Sequence, residues 1–260
     1  MYRLLSLHRT DSKASAHSPS PQRTEADSRL IKLLLAVTVM TGLIDAISVL
    51  SLGRVFVANV TGTIVFIGFA LAGTPGFPLT ASLCAFAGFL MGAIVAGRTG
   101  RRSLDNRYRL LRNSAATAFG LFVVALGITI ADSGQASGRN ADVVLFVMAL
   151  AMGAQNATVR RMAVDLRTNM LTTTVTEIGA YLRDRKLRSA GLQVVSVLCL
   201  LGGGVVGAVL GRSVSVVATL SVVIAGFAIV AVIAGRLATP QPSAAVGESP
   251  PPAVVNTPTN

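Results

Sequence analysis

The length of the uncharged apolar runs constrains this chain more than any other feature. Residues 33–53 hold one charge, Asp45, and residues 55–97 hold none. Residues 113–131, 143–159, 189–211 and 213–235 are uncharged as well. A helix that crosses a bilayer needs roughly 20 apolar residues, within a range of about 17–25. Several runs reach that length, so the expected class is an all-α integral membrane protein. Only 13% of the residues are charged, where soluble domains carry about 25%, and this sets aside a second, soluble domain.

Eight candidate elements follow: 31–53, 55–73, 79–97, 113–131, 142–159, 168–182, 189–211 and 213–236. The second and sixth do not read as lipid-facing helices. The second contains Asn59, Thr61, Gly62 and Thr63, and the sixth, "TNMLTTTVTEIGAYL", is rich in threonine and carries Glu177. Basic residues decide how many elements cross, because cytoplasmic loops collect Lys and Arg. If all eight cross from a cytoplasmic N-terminus, twelve basic residues fall inside and eleven outside. If the second and sixth enter and return on one side, twenty fall inside and only Arg54, Arg139 and Arg212 outside. Six crossings are therefore expected, with two short re-entrant elements. Irregular backbone at membrane depth must be covered by protein or line a cavity, so both elements are expected inside the bundle. A tilted or broken helix over 55–73 is the alternative.

The chain also resembles itself. An offset of 111 carries "GLIDA" (42–46) onto "GAQNA" (153–157), Gly92 onto Gly203, Ala96 onto Gly207, and Arg101 onto Arg212. Each half, 30–131 and 142–236, would hold three crossings. An odd number turns the second half over, predicting two inverted three-helix repeats, an architecture of many secondary transporters. Gly88, Gly92 and Ala96, and then Gly203, Gly207 and Gly211, recur every four residues. Small residues let helix backbones approach closely in lipid. Packing within the chain is the expected use of these faces, and a homodimer contact is the alternative.

The stretch "TGLIDAISVLSLGRVFVANVTGTIVFIG", residues 41–68, resembles the signature region of the YoaK-like bacterial membrane proteins, a family grouped as a domain of unknown function. The resemblance covers roughly residues 30–236, and "TNMLTTTVTEIG" looks like the family's second threonine-rich segment. It implies a multi-pass protein of the bacterial inner membrane and supplies no substrate.

Few residues can carry chemistry. Asp45 lies near the middle of its run, where a carboxylate costs roughly 2.5–3.5 kcal/mol by insertion scales. It must face the bundle interior, as a proton or solute site or as a hydrogen-bond partner for backbone freed by the re-entrant element. Its repeat mate is Asn156, beside Gln155. Glu177 is the second intramembrane acid, six residues before Arg183. Asn59, Thr61 and Gly62, with Asn169 and Thr172, offer amides, hydroxyls and flexible backbone that can replace a solute's hydration shell. Arg54 reads as an interfacial, snorkelling residue.

Other chemistries find no support. The two cysteines, Cys84 and Cys199, lie inside apolar runs, and the two histidines, His8 and His17, lie in the N-terminal tail. No metal-ligand spacing, cofactor motif, nucleophile signature or phosphate-binding loop occurs, and an enzyme is not expected. The net charge of +12 does not signal nucleic acid, because the basic residues form no stripe with interleaved aromatics. The expectation is a transporter or permease for a small solute or ion, proton-coupled through Asp45, with both termini cytoplasmic. A membrane scaffold or regulatory subunit is the alternative. Residues 1–29 and 237–260, rich in Ser, Pro and Thr, read as tails without a core.

Overall fold

The computed structural model describes residues 21–99, 106–134, 138–166, 187–213 and 215–238, and among them every regular element is helical. The helices are α1 (Pro21–Ile47), α2 (Val60–Leu71), α3 (Leu79–Thr99), α4 (Arg107–Ala131), α5 (Gly138–Leu166), α6 (Leu187–Ser213) and α7 (Val216–Ala238). All but α2 are long and apolar enough to cross a membrane. Helix α2 has 12 residues, about 18 Å at 1.5 Å per residue, and the hydrocarbon core is about 30 Å thick. It cannot span. The six crossings expected from the charges are thus present, with a short helix after the first.

Several helices outrun the uncharged stretches that announce them. Helix α4 begins at Arg107 and α5 continues to Leu166, because arginine stems can lie along apolar surface while their heads reach water. Residues 21–29, expected in the tail, are the first turns of α1. Pro21 suits a first helical position, where no backbone N–H is needed. The threonine-rich element expected at 168–182, with Asn169, Thr172 and Glu177, lies outside the described residues.

Packing is set by glycines. Helix α3 lies chiefly on α5, α1 on α6, and α4 on α7. A Cβ added to Gly88 would strike the Phe146 carbonyl oxygen, one on Gly92 that of Leu150, and one on Gly153 that of Phe89. Residue numbers rise together along the contact, so α3 and α5 run parallel. On the other side, Gly203 meets the Val39 carbonyl, Gly42 meets that of Leu200, and a Cβ on Gly207 would lie 2.7 Å from that of Leu43. Helices α1 and α6 are therefore parallel too. The 111-residue offset exchanges the two sets: Gly92 becomes Gly203 as Val39 becomes Leu150, and Gly42 becomes Gly153 as Phe89 becomes Leu200. Lipid tails are as apolar as the side chains, so close van der Waals packing, not apolar burial, holds such pairs.

Helices α4 and α7 are antiparallel. Phe122 and Phe227 stack at mid-seam with ring centroids 5.5 Å apart. Asn106 joins their ends: its Oδ1 accepts the Tyr108 N–H at 3.0 Å and the Arg109 N–H at 3.1 Å, capping α4. Its Nδ2 donates to the Ala238 carbonyl of α7 at 3.3 Å. At the opposite end, Gly53 after α1 sits beside Ala81 of α3 and Leu145 of α5, a Cβ there lying 3.1 and 3.0 Å from them. The chain therefore leaves α1 and enters α3 at the same end, and residues 53–78 make an excursion without a crossing. Arg98, Arg107, Arg161 and Arg236 fall at one end of the bundle, and Arg54, Arg139 and Arg212 at the other.

Two outcomes test this packing. Asn106→Ala should cost about 1–2 kcal/mol, as loss of a helix cap does, measured by thermal unfolding in detergent. Gly203→Leu drives a side chain into the backbone of α1 and should remove the monodisperse peak on size-exclusion chromatography. Gly202→Leu, where a Cβ meets nothing, should leave that peak intact.

Candidate functional site

The end of α1 prepares the excursion. Residues Ser48–Leu52 form a π-helical turn closed by the Gly53 N–H donating to the Ser48 carbonyl at 3.2 Å. Such turns are frequent at functional sites. Arg54 follows with φ +56°, a left-handed conformation uncommon for any residue but glycine. Its guanidinium lies against Gly76, so that a Cβ there would come within 2.6 Å of it. Gly76 itself has φ +85°. Arg54 thus bridges the start of the excursion to the turn that precedes α3.

From Arg54 the chain runs back into the bundle without regular structure, with Val55, Val57 and Ala58 buried. In a bilayer every such backbone group needs a protein partner. Asp45 supplies it. The carboxylate Oδ1 accepts the Val57 N–H at 3.1 Å and the Ala58 N–H at 2.9 Å. Asn156 of α5 donates from Nδ2 to the Ala58 carbonyl at 3.4 Å. The backbone of Ala58 is thus held at its N–H and at its carbonyl by two residues that the 111-residue offset equates. Thr63 closes the next link by donating to the Phe56 carbonyl at 2.6 Å. Ser48, three residues after Asp45, donates to its carbonyl at 3.0 Å and steadies the turn.

The clasp is deep. Asp45 precedes Gly53 by eight residues, about 12 Å of helix, and Asn156 follows Leu145 by eleven, about 16 Å. Both distances put Ala58 near the middle of a core about 30 Å thick. Helix α2 begins two residues later, so its first N–H groups, which have no intrahelical carbonyl, lie at this depth. Asn59, its N-cap, makes no side-chain capping bond.

The sequence candidates divide. Asp45 and Asn156 meet on one residue, Ala58, and Gln155 is buried next to Asn156 on α5. Asn59 and Thr61 are exposed, and Asn59 joins the clasp only through its backbone, its carbonyl accepting the Thr63 N–H at 3.3 Å. Gly62 does not bend the chain. It lies within α2 and gives room to the Phe56 ring, whose edge would be 2.6 Å from a Cβ. The expectation that this element lies inside the bundle holds only for its irregular half. Helix α2 packs chiefly on α3 and turns Ile64, Val65, Phe69 and Leu71 outward, because twelve apolar residues can face lipid once their own hydrogen bonds are made. Gly88, Gly92, Gly203 and Gly207 all face backbone or side chains of neighbouring helices. The sequence reading missed that the Val57 and Ala58 N–H groups are the partners of Asp45, because a backbone N–H has no residue-type signal.

A family model described as "Protein of unknown function (DUF1275)" matches residues 33–234. The chain belongs to this family. The matched range of the DUF1275 chain takes in Asp45, the excursion through α2 and Asn156. It is 28% identical to "UPF0700 transmembrane protein YoaK" of Bacillus subtilis (strain 168) over 149 residues, 56% of this chain and 64% of that protein. The match therefore spans less than two thirds of the relative. No solved structure matches.

Removing the carboxylate tests the clasp in this DUF1275 protein. Asp45→Ala orphans two buried N–H groups at about 1–3 kcal/mol each. Asp45→Asn keeps an acceptor oxygen in place. The alanine variant should melt well below the wild type and the asparagine variant within a few degrees of it, read by thermal unfolding in nanodiscs.

Proposed function

We propose that this chain is a small secondary transporter or permease of the bacterial inner membrane, with its arginine-rich end cytoplasmic. Six spanning helices and family membership establish a multi-pass membrane protein, and the transport reading goes beyond them. One observation carries it: a non-helical segment re-enters to mid-membrane, where α2 begins, and is held there by a carboxylate and an amide from offset-related positions. Secondary transporters form their sites at such broken segments, at the interface of repeats. Two inverted repeats, 30–131 and 142–236, are part of the proposal. The glycine contacts that exchange under the offset support them, as does the odd number of crossings in each half.

In this reading Asp45 is the titratable element of the path. Its charge is costly at that depth, and protonation would loosen its hold on the Val57 and Ala58 N–H groups. Proton exchange would then move the loop. A second reading, a membrane scaffold, draws on the same contacts: the Asp45 carboxylate accepts backbone N–H groups, which a purely architectural role would require.

Asp45→Asn separates the two, since it keeps the acceptor and removes the proton. Purified protein is first screened by thermal shift against ions and small metabolites, and a stabilising solute is then followed into proteoliposomes under a pH gradient. Proton-driven uptake should fall about tenfold or more in Asp45→Asn, equivalent to about 1.4 kcal/mol on the limiting barrier. Equal uptake by both proteins would remove the coupling role and leave the scaffold reading in place.

A further inference from the structure

We propose that Gln155 is a solute-binding residue, and that the solute it takes is small, uncharged and carries both a hydrogen-bond donor and an acceptor. The proposal rests on the transport reading and adds to it a residue and a substrate class.

Gln155 is 1% exposed, and among the described residues neither its Oε1 nor its Nε2 has a hydrogen-bond partner. A primary amide offers two donors and an accepting oxygen. Burying it unpaired is destabilising, and native structures seldom keep such a group without a use. The buried hydroxyls show the contrast. Ser48, Ser82, Ser114, Thr129, Thr158 and Thr219 each donate to a carbonyl three or four residues back along the chain. The glutamine side chain is longer and makes no such bond. Its neighbour Asn156 is already engaged with Ala58. Gln155 is therefore an uncommitted polar group at the depth of the clasp, about 100° around α5 from Asn156.

Its surroundings suit a site that opens and closes. Met148, Met152 and Met162, at seven before, three before and seven after, share its stripe of α5 and are all buried. Methionine side chains are unbranched and polarisable and repack at little cost. A solute could thus be admitted to the amide by movement of neighbouring side chains and of the loop that Asn156 holds.

The chemistry of the orphaned atoms selects the solute. A bare cation would satisfy Oε1 and leave Nε2 unpaired, and an anion would do the reverse. A neutral molecule with a donor and an acceptor satisfies both. Among the described residues no charged partner competes at this level: Asp45 is engaged with backbone N–H groups. Arg160 and Arg161 lie more than a turn farther along α5, where the Arg161 guanidinium donates to the Gly97 carbonyl. Among the described residues no group of His, Cys, Asp and Glu could hold a metal ion.

The test uses full-length protein in proteoliposomes and stopped-flow light scattering, with urea, acetamide and glycerol as neutral probes and potassium acetate as the charged one. Gln155→Met keeps the volume and removes both hydrogen-bonding atoms. It should raise the unfolding midpoint by about 2–4 °C, the shift expected for one orphaned polar group in a chain of this size. It should also slow wild-type uptake of the neutral probes about tenfold or more, a loss of about 1.4 kcal/mol. Gln155→Asn, which keeps the groups on a shorter stem, should retain part of the uptake. A Gln155→Met midpoint below the wild type would show that the amide holds the fold and would overturn the proposal. An unchanged rate of neutral uptake would overturn it as well. Wild-type vesicles that admit only the charged probe would sink the solute class and leave the transport reading standing. Wild-type vesicles that admit neither would count against both.

Discussion

Two backbone N–H groups at mid-membrane, those of Val57 and Ala58, have no water to bond, and the Asp45 carboxylate receives them. The rest of the architecture around α2 depends on that pairing. An extended chain cannot enter hydrocarbon with its polar groups bare. A carboxylate cannot sit there unpaired without a cost of several kcal/mol. Each liability answers the other. The π-helical turn and the left-handed Arg54 serve to bring the two together, since they reverse the chain sharply enough to lay residues 55–58 back against α1.

The frame that holds this clasp is built from glycine contacts. The α1–α6 and α3–α5 pairs each join one helix from the first half of the chain to one from the second. Neither half packs as a separate layer, so a shift of one half would move its helices against partners from the other. At these contacts backbone approaches backbone, with Gly92 on Leu150 and Gly203 on Val39. The α4–α7 seam is different in kind. It is antiparallel, filled by the stacked Phe122 and Phe227, and pinned at one end by Asn106. A glycine contact tolerates almost no added atom, whereas an aromatic seam can repack.

Adjacent positions on α5 carry opposite burdens. Asn156 spends its amide on the Ala58 carbonyl, and Gln155 keeps both of its amide atoms unspent. One residue stabilises the interrupted backbone and the other weakens the core. Together with Asp45 they make a polar centre in which structural and uncommitted groups are separated by a single peptide. That separation is what a binding function would need, because a solute must find groups that the fold has not already claimed.

The number of crossings was legible in the sequence, because apolarity and charge belong to residue type and need no neighbour to be read. The uncharged runs and the gathering of Arg and Lys in alternate gaps announced six helices and two non-spanning elements, of which the first, 55–73, lies among the described residues. Asp45 stood out for the same reason, as did the recurrence of glycine at an offset of 111. What Asp45 bonds was not legible, because its partners are backbone N–H groups and every residue but proline has one. Nor was the use of Gly62, read as flexible backbone for a solute path, which makes room for Phe56, or the outward face of α2, which depends on where α3 lies. By itself the sequence determined that the chain lives in a bilayer and where its helices run. Only the tertiary structure decided which polar groups meet and which stay unpaired, because hydrogen bonds at mid-membrane are settled by distances between segments far apart along the chain.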